Sequence, residues 1–425
     1  MQYYLQPDEK ETDLQKYVAY YPQEEGQEKK ALADTQIRVF PITINGYEKP
    51  DSRLITVRAD SSTVVKFYYR KLAAGTEKTA EEQENDDQGL SMELQKKILE
   101  ALEQGSSTNY TIEEVIYTLH KNEDGTLTIR LNGSTGQEKL VIPDVIKVAG
   151  KTLTITEIAE KAFYGQGELK EVVMGSGITK IGKSAFEDCR KHKKVNIGNN
   201  VTVIEESAFK NCAALERITI SEAVLRIGSH AFEGCKKLKS LVLKEGLLQI
   251  GNKAFYKCSA LKNVKIPGSV LQIGKYAFAD CKKIGKFSFA QNASLMRIGD
   301  GMLQNASSLS KIKLPGRLRS IPDHTFRNAV KLENCQIGSS VTKIGNSAFQ
   351  GCKKLQRLIL PGQVQTIGKR TFYQCKKLKK VTIRTVQLRK IGKEAFKGCA
   401  SKIQFAVPKG KQTVYAKLLK GKYGK

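Results

Sequence analysis

One period governs most of this chain. Aligned on the phenylalanine of an Ile-Gly-x-x-Ala-Phe-x-x-Cys unit, the pattern recurs at Phe163, Phe186, Phe209, Phe232, Phe255, Phe278, Leu303, Phe326, Phe349, Phe372 and Phe396. The step is 23 residues, except for 25 before Leu303 and 24 before Phe396. An isoleucine stands five residues upstream each time, from Ile158 to Ile391. A unit this short cannot bury its apolar positions alone, so the units must stack.

Each unit continues into a Leu-x-x-Val-x-Ile segment, as in Leu215-x-x-Ile218-x-Ile220 and Leu355-x-x-Leu358-x-Leu360. Its last apolar positions alternate with polar ones, which is strand period. Pro267-Gly268, Pro315-Gly316 and Pro361-Gly362 then end the strand, because proline lacks the donor a ladder needs. The sequence therefore predicts an α/β solenoid of eleven turns of about 23 residues, with parallel strands stacked about 4.8 Å apart. The Ala-Phe segment is expected to form one helical or 3-10 turn on the opposite side. Leu303, Ala306, Pro322 and Ala329 depart from the motif, and two extra residues around Phe289–Ser294 predict a local bulge.

Over residues 140–408 this unit resembles the BspA-like (Treponema-type) leucine-rich-repeat family. The resemblance implies a leucine-rich-repeat solenoid in a bacterial surface or secreted protein, one that binds host or matrix proteins or other bacteria. An extracellular or cell-surface location is expected on that ground. The start at Met1 shows no basic segment followed by an apolar core, so export is not read from the residues themselves.

Upstream, residues 1–72 read as a small β-rich domain, with β-branched or aromatic runs at Tyr17–Tyr21, Gln36–Phe40, Leu54–Arg58 and Val64–Tyr69. With Asn45-Gly46-Tyr47 and Lys66–Arg70, this pattern resembles a MucBP-type (mucin-binding-protein) repeat, which implies an extracellular spacer or adhesive module. Residues 73–107 read as an acidic linker carrying the Glu77–Asp87 run and a short amphipathic helix at Ser91–Gln104. Residues 108–408 form the solenoid with an N-terminal β cap built from Tyr117–Leu119, Leu127–Leu131 and Leu140–Ile142. Residues 409–425 are expected to close the other end with a helix around Val414–Leu419.

Charge narrows the partners. The formal net charge is +28, split between an acidic head (−8 over residues 1–116) and a basic body (+36 beyond). Such a body attracts anionic glycans, wall polymers, acidic lipid surfaces or nucleic acid, while the same lysines also solubilise a long surface. No apolar stretch approaches the roughly 18 residues of a membrane span, and no membrane insertion is expected.

Eight of the nine cysteines, Cys189, Cys212, Cys235, Cys258, Cys281, Cys352, Cys375 and Cys399, share one repeat position, and Cys335 takes a strand position. Without Cys-x-x-Cys spacing they read as soft fillers of the turn interior rather than metal ligands. His120, His192, His230 and His324 complete no triad or metal set, with His192 in place of the strand-leading Leu. No P-loop, dinucleotide or nucleophile motif is present. The expectation is a protein that is not an enzyme and carries neither cofactor nor metal.

Outward strand positions define the candidate face: Lys194, Arg217, Asn263, Lys265, Lys286, Lys311, Lys313, Asn334, Arg357 and Lys380. Nearly every turn offers a cation or amide there, and only Val242 and Ile359 are apolar. Two readings follow. The first is a non-enzymatic, adhesin-type scaffold that recognises a host or bacterial protein or mucin. The alternative is a polyanion binder gripping anionic glycan, wall polymer or nucleic acid, the last disfavoured in single-stranded form because the face has no aromatic residues for base stacking.

Overall fold

The computed structural model describes residues 138–148 and 151–421 continuously, and upstream of them Glu100 and strand segments within 2–71 and 109–134. The chain divides into two compact units, Met1–Asp87 and Gln88–Lys425. In the first, strands fall within or beside all four β runs, at Val18–Tyr20, Gln36–Val39, Arg53–Thr56 and Lys66–Lys71. Gln2–Leu5, which carries no alternation, pairs parallel with Lys66–Lys71, and Gln36–Val39 pairs antiparallel with Arg53–Thr56. The Glu77–Asp87 run and, apart from the helical Glu100, the Ser91–Gln104 segment lie outside the described residues.

The second unit is the solenoid. Its turns stack two parallel ladders, a front sheet and a flank sheet. The front sheet has twelve strands of three or four residues: nine from Lys139–Val141 to Asn334–Gln336, then three more, Arg357–Leu360, Lys380–Ile383 and Gln404–Ala406. Twelve strands exceed the eleven motif copies because Lys139–Val141, expected in the cap, already pairs parallel with Glu171–Val173. The flank sheet was not anticipated. It is a ladder of two-residue strands, each ending on the recurrent isoleucine, such as Arg226–Ile227 paired with Gln249–Ile250. Antiparallel strands Val115–Lys121 and Leu127–Ser134 join its first edge by the parallel pairing of Leu127–Ser134 with Lys151–Ile158.

The Ala-Phe segment is not helical, which corrects the expectation of a helical or 3-10 turn. In all eleven units the residues two before and two after the Phe position are left-handed, with φ between 51° and 75°, as at Ser184 and Asp188 around Phe186. Left-handed residues at that spacing cannot belong to a right-handed helix. The chain runs instead through successive i→i−3 turns, and every second amide is freed to reach the next unit. The amides of Ser184, Phe186 and Asp188 donate to the carbonyls of Glu206, Ala208 and Lys210 at 2.9, 2.7 and 2.8 Å. This third ladder satisfies buried backbone groups that a turn would otherwise orphan.

Between the ladders lies one core. Phe163 through Phe278 stack with centroids 5.0–5.2 Å apart and planes within 9°. The stack stops where Leu303 replaces phenylalanine and resumes from Phe326 to Phe396. At the gap Phe287 packs edge-on against Phe278, 5.1 Å away. Full burial of each such ring contributes roughly 1.5–3 kcal/mol and each inter-unit hydrogen bond roughly 1 kcal/mol net, so the ring stack and the several bonds of each unit hold the register together. The Ile-Gly dipeptide reflects close approach: a Cβ on Gly251 would lie 2.5 Å from the backbone of Gly228. A helix, Gln412–Leu419, buries Tyr415 and Leu419, and the Tyr415 hydroxyl donates to the Thr385 carbonyl at 2.9 Å.

Candidate functional site

All ten residues of the expected face are exposed on the front sheet. Strand pairing sets Lys194, Arg217, Asn263, Lys286, Lys311 and Asn334 in one row with Ser240. Lys265 and Lys313 lie two residues further along their strands. Arg357 pairs with Lys380 in the separate three-stranded sheet. Among the described residues none of the eight cations in this set is ion-paired. Lysines at the turn edges behave differently: Lys170–Glu138, Lys191–Glu168 and Lys210–Glu187 bridge neighbouring turns at 2.6–2.7 Å. The Lys191 contact holds the Glu168 carboxyl below its usual range.

A groove opens where the front sheet divides, between Asn334–Gln336 and Arg357–Leu360. It has a volume of about 800 Å³ and brings together Lys311, Lys313, Arg357 and Arg384 with the amides of Asn334, Gln336 and Gln356. Its one acidic residue, Glu333, lies 3.8 Å from Lys354. Neither the groove nor Arg384 was legible beforehand, since no repeat pattern announces where a strand ladder lapses.

The flank sheet carries a second feature. Leu225, Leu248, Leu271 and Met296 are 46%, 41%, 38% and 47% exposed. They are immediate neighbours: the amides of Leu248, Leu271 and Met296 donate to the carbonyls of Leu225, Leu248 and Leu271 at 2.9, 2.9 and 3.1 Å. Elsewhere this register holds Thr156, Thr179, Thr202, Arg319, Thr342, Gln365 and Arg389. Four consecutive turns thus present an unbroken apolar column beside Arg226, Gln249, Gln272 and Arg297. The signal was present in sequence as Leu, Leu, Leu, Met two residues before the recurrent isoleucine. The longer strand of each unit carries no trace of it.

Cys335 lies beneath the groove it helps to line, whereas the eight cysteines of the ladder sit in the interior of their turns. Each ladder thiol donates to a phenylalanine carbonyl of the preceding turn, as Cys212 to Phe186 at 3.1 Å and Cys375 to Phe349 at 3.1 Å. Burial pushes the Cys189 thiol up to about 12 and Cys335 further, which suppresses thiolate chemistry. His192 is fully buried between Phe186 and Phe209, 5.6 and 6.4 Å from their rings. Burial lowers its pKa to about 4, and neither ring nitrogen has a hydrogen bond of normal geometry. His230 and His324 occupy the same left-handed site two residues before phenylalanine. His230 Nδ1 meets Glu233 across its own turn.

The fold defined by these turns is a parallel β-solenoid of leucine-rich repeats. The chain belongs to the BspA type leucine rich repeat region family, which matches residues 156–285 and 296–422 in six copies. Among solved structures it is similar to a leucine-rich repeat protein from Bacteroides ovatus, with 25% identity, a TM-score of 0.37, and coverage of 71% of this chain and 100% of that one. A leucine rich cell surface protein from Faecalibacterium prausnitzii is 22% identical, with a TM-score of 0.41 and coverage of 74% and 98%. The pneumococcal vaccine antigen PcpA is 19% identical, with a TM-score of 0.44 and coverage of 75% and 97%. No curated protein matches the chain.

Proposed function

We propose that this protein is a non-enzymatic recognition scaffold of a bacterial surface, whose solenoid binds another protein. The observation that carries a protein partner is the apolar column of Leu225, Leu248, Leu271 and Met296. Exposed aliphatic side chains aligned on a rigid sheet and rimmed by Arg and Gln have the make-up of an interface core, an apolar centre with a polar rim. A polyanion would gain nothing from them. Membership of the BspA-type family supports the surface location, and no helix among the described residues is long and apolar enough to cross a membrane. The N-terminal β module, read as MucBP-like, then serves as a spacer or a second adhesive element.

The test uses the full chain, immobilised against purified mucin and extracellular-matrix proteins at two salt concentrations. One protein of the panel is expected to bind and to persist at about 0.5 M salt, where surface charges are screened within a few ångström. Leu248→Asp with Leu271→Asp should weaken that binding by at least about tenfold, the loss of one buried aliphatic anchor or more. Binding that ignores these substitutions, or no binding by any protein of the panel, overturns the reading.

A further inference from the structure

The charge of the body is not spread evenly along the stack. From residue 334 to the end there are 22 Lys and Arg and a single acid, Glu394. That one carboxylate is already held by Arg370 at 2.5 Å, which keeps its pKa low. Residues 138–333 carry 33 basic and 18 acidic side chains over more than twice the length. The groove at the division of the front sheet stands at the threshold of this basic quarter, and its residues fall on both sides of it.

We propose that this groove binds a linear anionic polysaccharide, a glycan bearing sulfate or carboxylate groups. Lys311 and Lys313 share one face of a strand because they lie two residues apart. Arg357 projects from the strand across the division and Arg384 from just beyond the end of the next, where its amide holds the Leu360 carbonyl at 3.0 Å. Four cations from three strands therefore converge on one depression, and none is ion-paired among the described residues. Guanidinium and ammonium groups make charge-assisted hydrogen bonds to sulfate and carboxylate oxygens. Asn334, Gln336 and Gln356 line the same groove and supply donors and acceptors together, which is what sugar hydroxyls require.

The lining also says what the ligand is not. It includes no aromatic side chain, so unstacked bases find no platform and single-stranded nucleic acid is disfavoured. A duplex is a wide, stiff cylinder and would touch the rim of such a depression more than its floor. The only apolar side chains on the outward face of the groove are Ile359 and Pro361, too few to anchor an acidic protein surface. This site is separate from the flank column, so either assignment stands or falls without the other.

The test is titration of the full chain with a heparin oligosaccharide, with hyaluronan as the carboxylate-only arm and duplex DNA of matched length as the competing polyanion. A groove variant carries Lys311→Gln, Lys313→Gln, Arg357→Gln and Arg384→Gln. A control of equal charge change carries Lys236→Gln, Lys237→Gln, Lys262→Gln and Lys282→Gln, four other exposed lysines that have no ion pair among the described residues. The groove variant should lose about 100-fold in affinity for the glycan, the product of four exposed charge contacts, and the control less than about threefold. Strong heparin binding with weak hyaluronan binding assigns the site to sulfate; comparable binding of both assigns it to carboxylate. Equal losses in both variants, or tighter binding of DNA than of either glycan, overturn the proposal. Unchanged circular dichroism in both variants confirms that the fold persists.

Discussion

The turns before Met296 and those after Asn334 are built on one core and carry different surfaces. In the first group the phenylalanine rings stack within 9° of parallel, lysines at the turn edges pair with carboxylates one turn away, and an apolar column runs along the flank. In the second group the rings tilt by 13–28°, a single acid remains, and cations and amides surround the exposed Ile359 on the front face. The two surfaces change at the two places where a ladder lapses. The flank sheet divides between Arg297–Ile298 and Ser320–Ile321, one turn after the last leucine of the column. The front sheet divides after Asn334–Gln336, where the basic quarter begins. The divisions are staggered, so one sheet always bridges the turn at which the other is broken. A stacked repeat thus separates two demands: inward positions must match their neighbours to keep the register, while outward positions are free to differ from turn to turn.

The largest effect should come from removing a ring inside the regular stack. Phe232 lies between Phe209 and Phe255, 5.2 Å from each. Phe232→Ala should destabilise the chain by about 3–5 kcal/mol, as a fully buried aromatic replaced by a cavity. Phe326, which borders the Leu303 gap and stacks only on Phe349, should cost about 1 kcal/mol less on substitution, the share of one ring-on-ring contact. Urea denaturation followed by circular dichroism measures both. Equal losses would mean that the stack adds nothing beyond area and that the two regions have the same core.

His192 offers a pH-dependent version of the same test. Its imidazole, ordinarily near 6.5, is held at about 4 by burial, so the folded state takes up its proton less readily than the unfolded one. The stability tied to its neutral form is complete above pH 6.5 and is lost as pH falls through 4, roughly 3 kcal/mol in all. Wild type should therefore lose about 2.5 kcal/mol more than His192→Leu between pH 7.5 and 4.5. At pH 7.5 the leucine variant should be the more stable by about 1–3 kcal/mol, since it leaves no buried nitrogen unsatisfied. Parallel pH profiles for the two proteins would show that the ring is solvated in solution.

The stacking axis, the strand positions and the ten exposed face residues were legible because each follows from a repeat that returns eleven times. The Ala-Phe segment was misread for a local reason. The residue two after phenylalanine is Gly, Asn or Asp in nine of eleven units, including Gly165, Asp188 and Asn211. Those residues tolerate left-handed backbone, and that composition argues against a helix as plainly as it argues for a turn. Attention to apolar period alone passed over it. The flank strands, two residues long, are too short for any alternation to register. The groove depends on the relative set of strands from Lys311 to Arg384, a property of packing that no single unit encodes.

The finest test concerns the flank division itself. At the position after the recurrent isoleucine, Gly299 donates its amide to the Ile273 carbonyl and Gly345 donates to Ile321, at 2.8 and 2.7 Å. Pro322 occupies that position in the intervening turn and has no amide to give to Ile298, which accounts for the lapse in the ladder there. Pro322→Gly restores the donor without adding a Cβ at a point of close approach. One inter-turn hydrogen bond contributes about 1 kcal/mol, and the added freedom of glycine in the unfolded chain offsets a similar amount. Global stability should therefore move by less than about 0.5 kcal/mol, while amide exchange at residue 322 becomes as slow as at Gly345. Fast exchange at residue 322 would show that the strands on either side are held apart by their side chains, and that the proline follows from the division instead of causing it.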